Sequence, residues 1–127
     1  MISASEKDFH AFYIKLLTTI FYKKGGIFAV AAQKTLSDND KTIIRRDMHI
    51  CTEVNYDNFL KEISIPVLVI ANRYDEMVPL SITEHMQKKI NNSRMVIFDD
   101  KGHVPFFENS DGFNKVVYEF IESLQLR

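Results

Sequence analysis

Asp75 and His103 are the two residues whose types and settings could carry proton-transfer chemistry in this chain. Asp75 ends the stretch Asn72-Arg73-Tyr74-Asp75 behind one apolar run, and His103 ends Asp100-Lys101-Gly102-His103 behind another. If the two runs are neighbouring parallel strands, both loops leave the same edge of a sheet, where ligand sites of open α/β sheets lie. A carboxylate there can accept the imidazole's Nδ1 proton, fix its tautomer and steady the imidazolium formed during proton transfer. Nε2 is then left to act as general base toward a nucleophile. Taken singly, each residue also has a plainer use: an aspartate satisfying turn backbone, and a loop histidine bonded to the main chain.

The other titratable residues carry less. Glu76 reads as a solvated neighbour of Asp75, and Glu108 as a loop anchor or cap rather than a reacting group. His10, His49 and His85 fall in predicted helices as surface or interface residues. His49 and Cys51 stand two apart on a helix, which puts them on different faces. No further ligand residue stands at metal spacing, so neither a zinc site nor a cofactor is expected. Cys51 is the single cysteine, which excludes an internal disulfide. No pattern marks it as reactive, and it is expected as a buried or half-buried small apolar side chain.

The elements that must position Asp75 and His103 follow from hydrophobic spacing. Phe9, Phe12, Tyr13, Leu16, Leu17, Ile20 and Phe21 form one apolar stripe, predicting a helix from near Ser5 to the stop at Gly25-Gly26. Residues 27–32 predict a short apolar helix, and Ser37 to Asp40 a turn. A helix over Asp40 to Glu53 should turn Ile43, Ile44, Met48 and Cys51 inward, with a short helical segment over 56–63. Pro66 then opens Val67-Leu68-Val69-Ile70-Ala71, a continuous apolar run expected of a strand covered on both faces. A helix over 79–90 with Ile82, Met86 and Ile90 inward, a strand over 94–99 and a helix from about Asp111 complete the pattern. That last helix should bury Phe113, Val116, Val117, Phe120, Ile121 and Leu124. Strand, helix, strand, helix implies parallel crossovers and an α/β fold.

Bulk properties set the class. The 127 residues suffice for one domain, and 46% hydrophobic with 26% charged residues is a globular balance. Sixteen basic and seventeen acidic residues give a net charge of -1, no electrostatic reason to expect nucleic acid or an anionic membrane as partner. Lys23-Lys24, Arg45-Arg46 and Lys88-Lys89 read as solvated pairs. The first residues lack the basic start, apolar core and cleavage site of a signal peptide. No apolar run approaches the roughly 20 residues of a membrane helix. A cytoplasmic location is the expectation.

Ile63, Pro66, Asp75, Val78-Pro79, Gly102-His103, Glu108, Phe113 and Phe120 together carry a resemblance. The stretch from about residue 57 to 125 resembles the C-terminal part of an α/β-hydrolase: a run into a strand from I-x-x-P, the acid with V-P behind it, then G-H, a Glu and a Phe-rich final helix. Residues 1–62 are less closely similar to the helical cap that members insert before the acid-bearing strand, and 63–127 to the core. Asn72 stands where the family usually has Gly; Asn tolerates left-handed backbone better than most residues. Ser110 stands where a Pro is common; Ser is a good N-cap.

The resemblance implies hydrolysis of an ester, thioester or similar acyl bond, with His103 relaying the proton and Asp75 orienting it. It also implies a nucleophile in a G-x-S-x-G elbow upstream of both. Gly25, Gly26, Gly102 and Gly112 are the only glycines, and none brackets a Ser, Cys or Asp in that pattern. A fragment, a truncated product or a split partner is therefore expected, inactive without a nucleophile-bearing half. A strand pair with an open edge further predicts self-association or an N-terminal complementing chain. The alternative is a non-catalytic remnant kept as a binding or oligomerisation module.

Overall fold

The computed structural model describes residues 6–23 and 41–125. The predicted short helix over 27–32 and the turn from Ser37 to Asp40 lie outside them. In chain order the elements are α1 (Glu6–Ile20), α2 (Lys41–Glu53), α3 (Asp57–Leu60), β1 (Val67–Asn72), α4 (Leu80–Lys89), β2 (Ser93–Phe98), α5 (Pro105–Glu108) and α6 (Ser110–Gln125).

β1 and β2 pair in parallel from Val67↔Ser93 to Asn72↔Phe98, without a bulge. This register sets the site, because both strands end level and release their loops together. The ladder continues beyond them: Arg73 N–H donates to the Phe98 carbonyl (2.9 Å) and Tyr74 N–H to the Lys101 carbonyl (3.2 Å). The two exit loops are thus tied to each other before any side chain takes part. α4 makes the crossover and packs on both strands, α3 packs on α4, and α5 on α6. Val69, Ala71 and Ile90 are buried in this unit, and Leu17 and Phe21 of α1 and its exit are also buried.

Local chemistry explains where α4 begins and ends. Pro79 stands just before it in extended conformation, and a proline needs no amide donor there. Lys88 and Lys89 occupy the last turn, where cations meet the carbonyl end of the helix dipole. The Ser93 hydroxyl donates to the carbonyl of Ile90 (2.7 Å), occupying an acceptor that the helix itself cannot.

Several expectations change in the folded chain. Ile82 is 59% exposed, with Thr83 buried in its stead, while Met86 is half-buried and Ile90 buried. Met86 and Ile90 keep the expected face, and only in the first turn does Thr83 take the place of Ile82. In α2, Ile43 and Cys51 are exposed and only Ile44 and Met48 are half-buried. Among the described residues no other element packs extensively on α2. In α6 the expected stripe is half-covered at Phe113, Val116, Val117 and Phe120 and exposed at Ile121 and Leu124.

Candidate active site

Asp75 and His103 come together at the level ends of β1 and β2. His103 Nδ1 lies 2.9 Å from Asp75 Oδ2. An ionised carboxylate only accepts, so this bond puts the proton on Nδ1 and leaves a lone pair on Nε2. Among the described residues Nε2 has no hydrogen-bond partner. The Asp75 side chain is 7% exposed and that of His103 36%. The carboxylate is therefore enclosed while the imidazole can be reached from solvent.

Backbone fixes the acid. Asp75 Oδ1 accepts from the amides of Met77 and Val78, both at 2.9 Å. This is the Asx-turn geometry that favours aspartate in loops, so the plain use and the chemical one coexist: one oxygen builds the turn and the other faces the imidazole. Val78-Pro79 supplies the second of those donors and then starts α4.

Glu108 ties the histidine loop to the chain just past α1. Its Oε2 accepts from the amide of Gly102 and its Oε1 from the amide of Tyr22, each at 2.6 Å. The His103 amide in turn donates to the Ile20 carbonyl at 2.7 Å. The end of α1 and the histidine loop are therefore joined by one direct hydrogen bond and by the bridging carboxylate of Glu108. Gly102 is required by this approach: a Cβ there would lie 2.6 Å from Tyr22 N, 2.8 Å from Ile20 O and 2.9 Å from Phe21 C. The same contacts explain why α1 stops at Ile20, short of the expected glycine stop. The Ile20 carbonyl, which a longer helix would have used internally, is turned to His103.

Tyr22 stacks on Tyr74 with ring centroids 4.4 Å apart. Desolvation, then the charge and hydrogen bond of Tyr74, pushes the Tyr22 phenol above its usual 10.0, so it stays protonated at neutral pH. Arg73 pairs with Asp99 across the same rim at 2.6 Å, with both side chains at least half exposed. Lys101 holds Asp100 below the usual carboxylate range through a hydrogen bond, against a smaller opposing desolvation.

The remaining sequence candidates stay apart from this pair. Glu76 and His49 are exposed. His10 lies in α1, and its side chain is outside the described set. His85 meets Asp57 at 3.2 Å on the α3–α4 face. Asn72, expected for its tolerance of left-handed backbone, is instead the last paired residue of β1; its amide oxygen is buried and has no hydrogen-bond partner. Among the described residues no group of three or more His, Cys, Asp or Glu could hold a metal, and no helix is long and apolar enough to cross a membrane. Sequence reasoning missed the backbone groups of Ile20 and Tyr22, which leave no residue-type signal. Gly102 beside the histidine was the available hint of a close approach.

With this geometry the chain resembles proteins of known activity. A proline iminopeptidase of Saccharolobus solfataricus is 34% identical over 65 residues, 51% of this chain and 21% of that protein. A pimeloyl-[acyl-carrier protein] methyl ester esterase of Legionella pneumophila is 35% identical over 63 residues, 50% of this chain and 26% of that protein. The chain thus spans only about a fifth to a quarter of the length of these two relatives. An esterase structure from Exiguobacterium antarcticum superposes with a TM-score of 0.83 at 16% identity, over 92% of this chain and 44% of that one, which shows the fold. Residues 46–127, well over half of the chain, match the model of the TAP-like protein family, and the chain belongs to that family of α/β-hydrolases.

Proposed function

We propose that this chain supplies the general base, His103, and the orienting acid, Asp75, of a hydrolase acting on esters, thioesters or related acyl bonds. The nucleophile would come from an N-terminal segment or complementing chain carrying the elbow motif absent from these 127 residues. Residues 1–62 would then form a cap over the substrate. The observation that carries the reading is the 2.9 Å bond from His103 Nδ1 to an enclosed carboxylate, with Nε2 left open.

The chemistry follows from that bond. Nε2 takes the proton of the attacking hydroxyl as its oxygen bonds to the carbonyl carbon, and Asp75 stabilises the resulting imidazolium. Nε2 then returns the proton to the leaving group as the acyl–heteroatom bond breaks. Water repeats the cycle on the acyl intermediate and frees the acid. A methyl ester esterase and a proline iminopeptidase among the relatives support an acyl carbon, ester or amide, as the point of attack.

The test is reconstitution. The 127-residue chain is combined with a segment bearing the nucleophile elbow and assayed on a short-chain p-nitrophenyl ester. Turnover is expected only in the combination. His103→Ala should lower kcat on the order of 10⁶-fold, toward background. Turnover that survives His103→Ala would exclude the proposed base. A specific, stable self-complex with no turnover in any combination would favour the non-catalytic module instead.

A further inference from the structure

We infer that Glu108 is a positioning residue for His103, and that it works by clamping the histidine loop to the end of α1. This rests on the functional reading above for what His103 does, but not for how it is held.

Both carboxylate oxygens of Glu108 are committed to backbone. One takes the Gly102 amide, immediately before the histidine; the other takes the Tyr22 amide, two residues past α1, each at 2.6 Å. A charged acceptor for an amide makes a hydrogen bond roughly twice as strong as a neutral one. The His103 amide closes the clamp from the other side through the Ile20 carbonyl. Consecutive amides, 102 and 103, are therefore held by two different elements. The direction of the peptide between them sets where the His103 Cα–Cβ bond points, and so whether Nδ1 meets Asp75. Glu108 itself is placed by α5, whose first residue, Pro105, is buried and whose start fixes the chain two residues after His103.

The consequence is a mechanical link. A displacement of the α1 end would pull on the Gly102 and His103 amides together. Helix α1 belongs to the region proposed as a cap, so cap position and imidazole orientation would be joined through one carboxylate.

The imidazole reports this without any turnover. In the full 127-residue chain labelled with ¹⁵N-histidine, the Nδ1 proton bound to Asp75 should give a downfield resonance protected from solvent exchange. Glu108→Gln keeps the shape but presents an amide nitrogen to one of the two donors. It should speed exchange of that proton by about tenfold to a hundredfold, the equivalent of one charge-assisted hydrogen bond. Gly102→Ala attacks the clamp from the opposite side and should do the same. Strand amide signals from β1 and β2 serve as the control for folding. An unchanged Nδ1 proton in both variants, with the strands intact, would overturn the clamp. Absence of that resonance in the unmodified chain would instead overturn the Asp75–His103 reading itself.

Discussion

Asp75 divides its work between its oxygens, and the division decides how it can be replaced. Oδ1 accepts two amides of its own turn, and Oδ2 alone meets the imidazole. Asparagine can keep the turn by placing its oxygen on the two amides. Its nitrogen then faces Nδ1 as a donor, which forces the ring into the tautomer with Nε2 protonated. Asp75→Asn should therefore leave the fold intact while lowering kcat of the reconstituted enzyme on the order of 10⁴-fold. Near-wild-type turnover in that variant would mean that the carboxylate does not set the tautomer. Asp75 and His103 were legible in the sequence because each follows an apolar run at a strand's exit. Asn72, where the family usually has Gly, closes the strand in register with Phe98.

At the scale of elements, α3 is tethered to α4 by charge. Asp57 accepts from Lys89 and from His85, and these bonds, that of Lys89 first, hold its carboxyl below the usual 3.8. A depressed folded pKa gives stability that is present above 3.8 and fades as pH falls through the lower folded value. His85 is exposed and Asp57 and Lys89 are partly so, which keeps the effect small and salt-sensitive. Protection of the amides of residues 57–60, taken relative to their intrinsic exchange rates, should fall on acidification below 3.8, and Asp57→Asn should remove that dependence. An identical acid response in the variant would refute the tether. The sequence could not announce this triad, because its members are 28 and 32 residues apart in sequence. It located both strands well, since Pro66 and Asn91-Asn92 bound continuous apolar runs. It placed α1's end too late, because a tertiary contact with Gly102 overrode the local glycine signal.

At the scale of the whole molecule, large apolar side chains stand at the surface among the described residues. Tyr56, Phe59, Ile65, Phe107 and Tyr118 are all more than half exposed. Apolar surface on this scale favours association. Sedimentation velocity on the chain alone should show a mean mass that rises with concentration, and addition of the complementing segment should suppress it. A monomer at all concentrations would contradict the expectation of a partner.

The parallel pairing of β1 and β2 has a consequence in time as well as in space. Acid and base are only 28 residues apart along the chain, joined by a single helical crossover. Loop-closure entropy for so short a span is modest, and contacts of low sequence separation form fast. The Asp75–His103 contact can thus form early, while the contact of α1 through Glu108, between residues 86 apart in sequence, closes later and would complete the orientation of the imidazole.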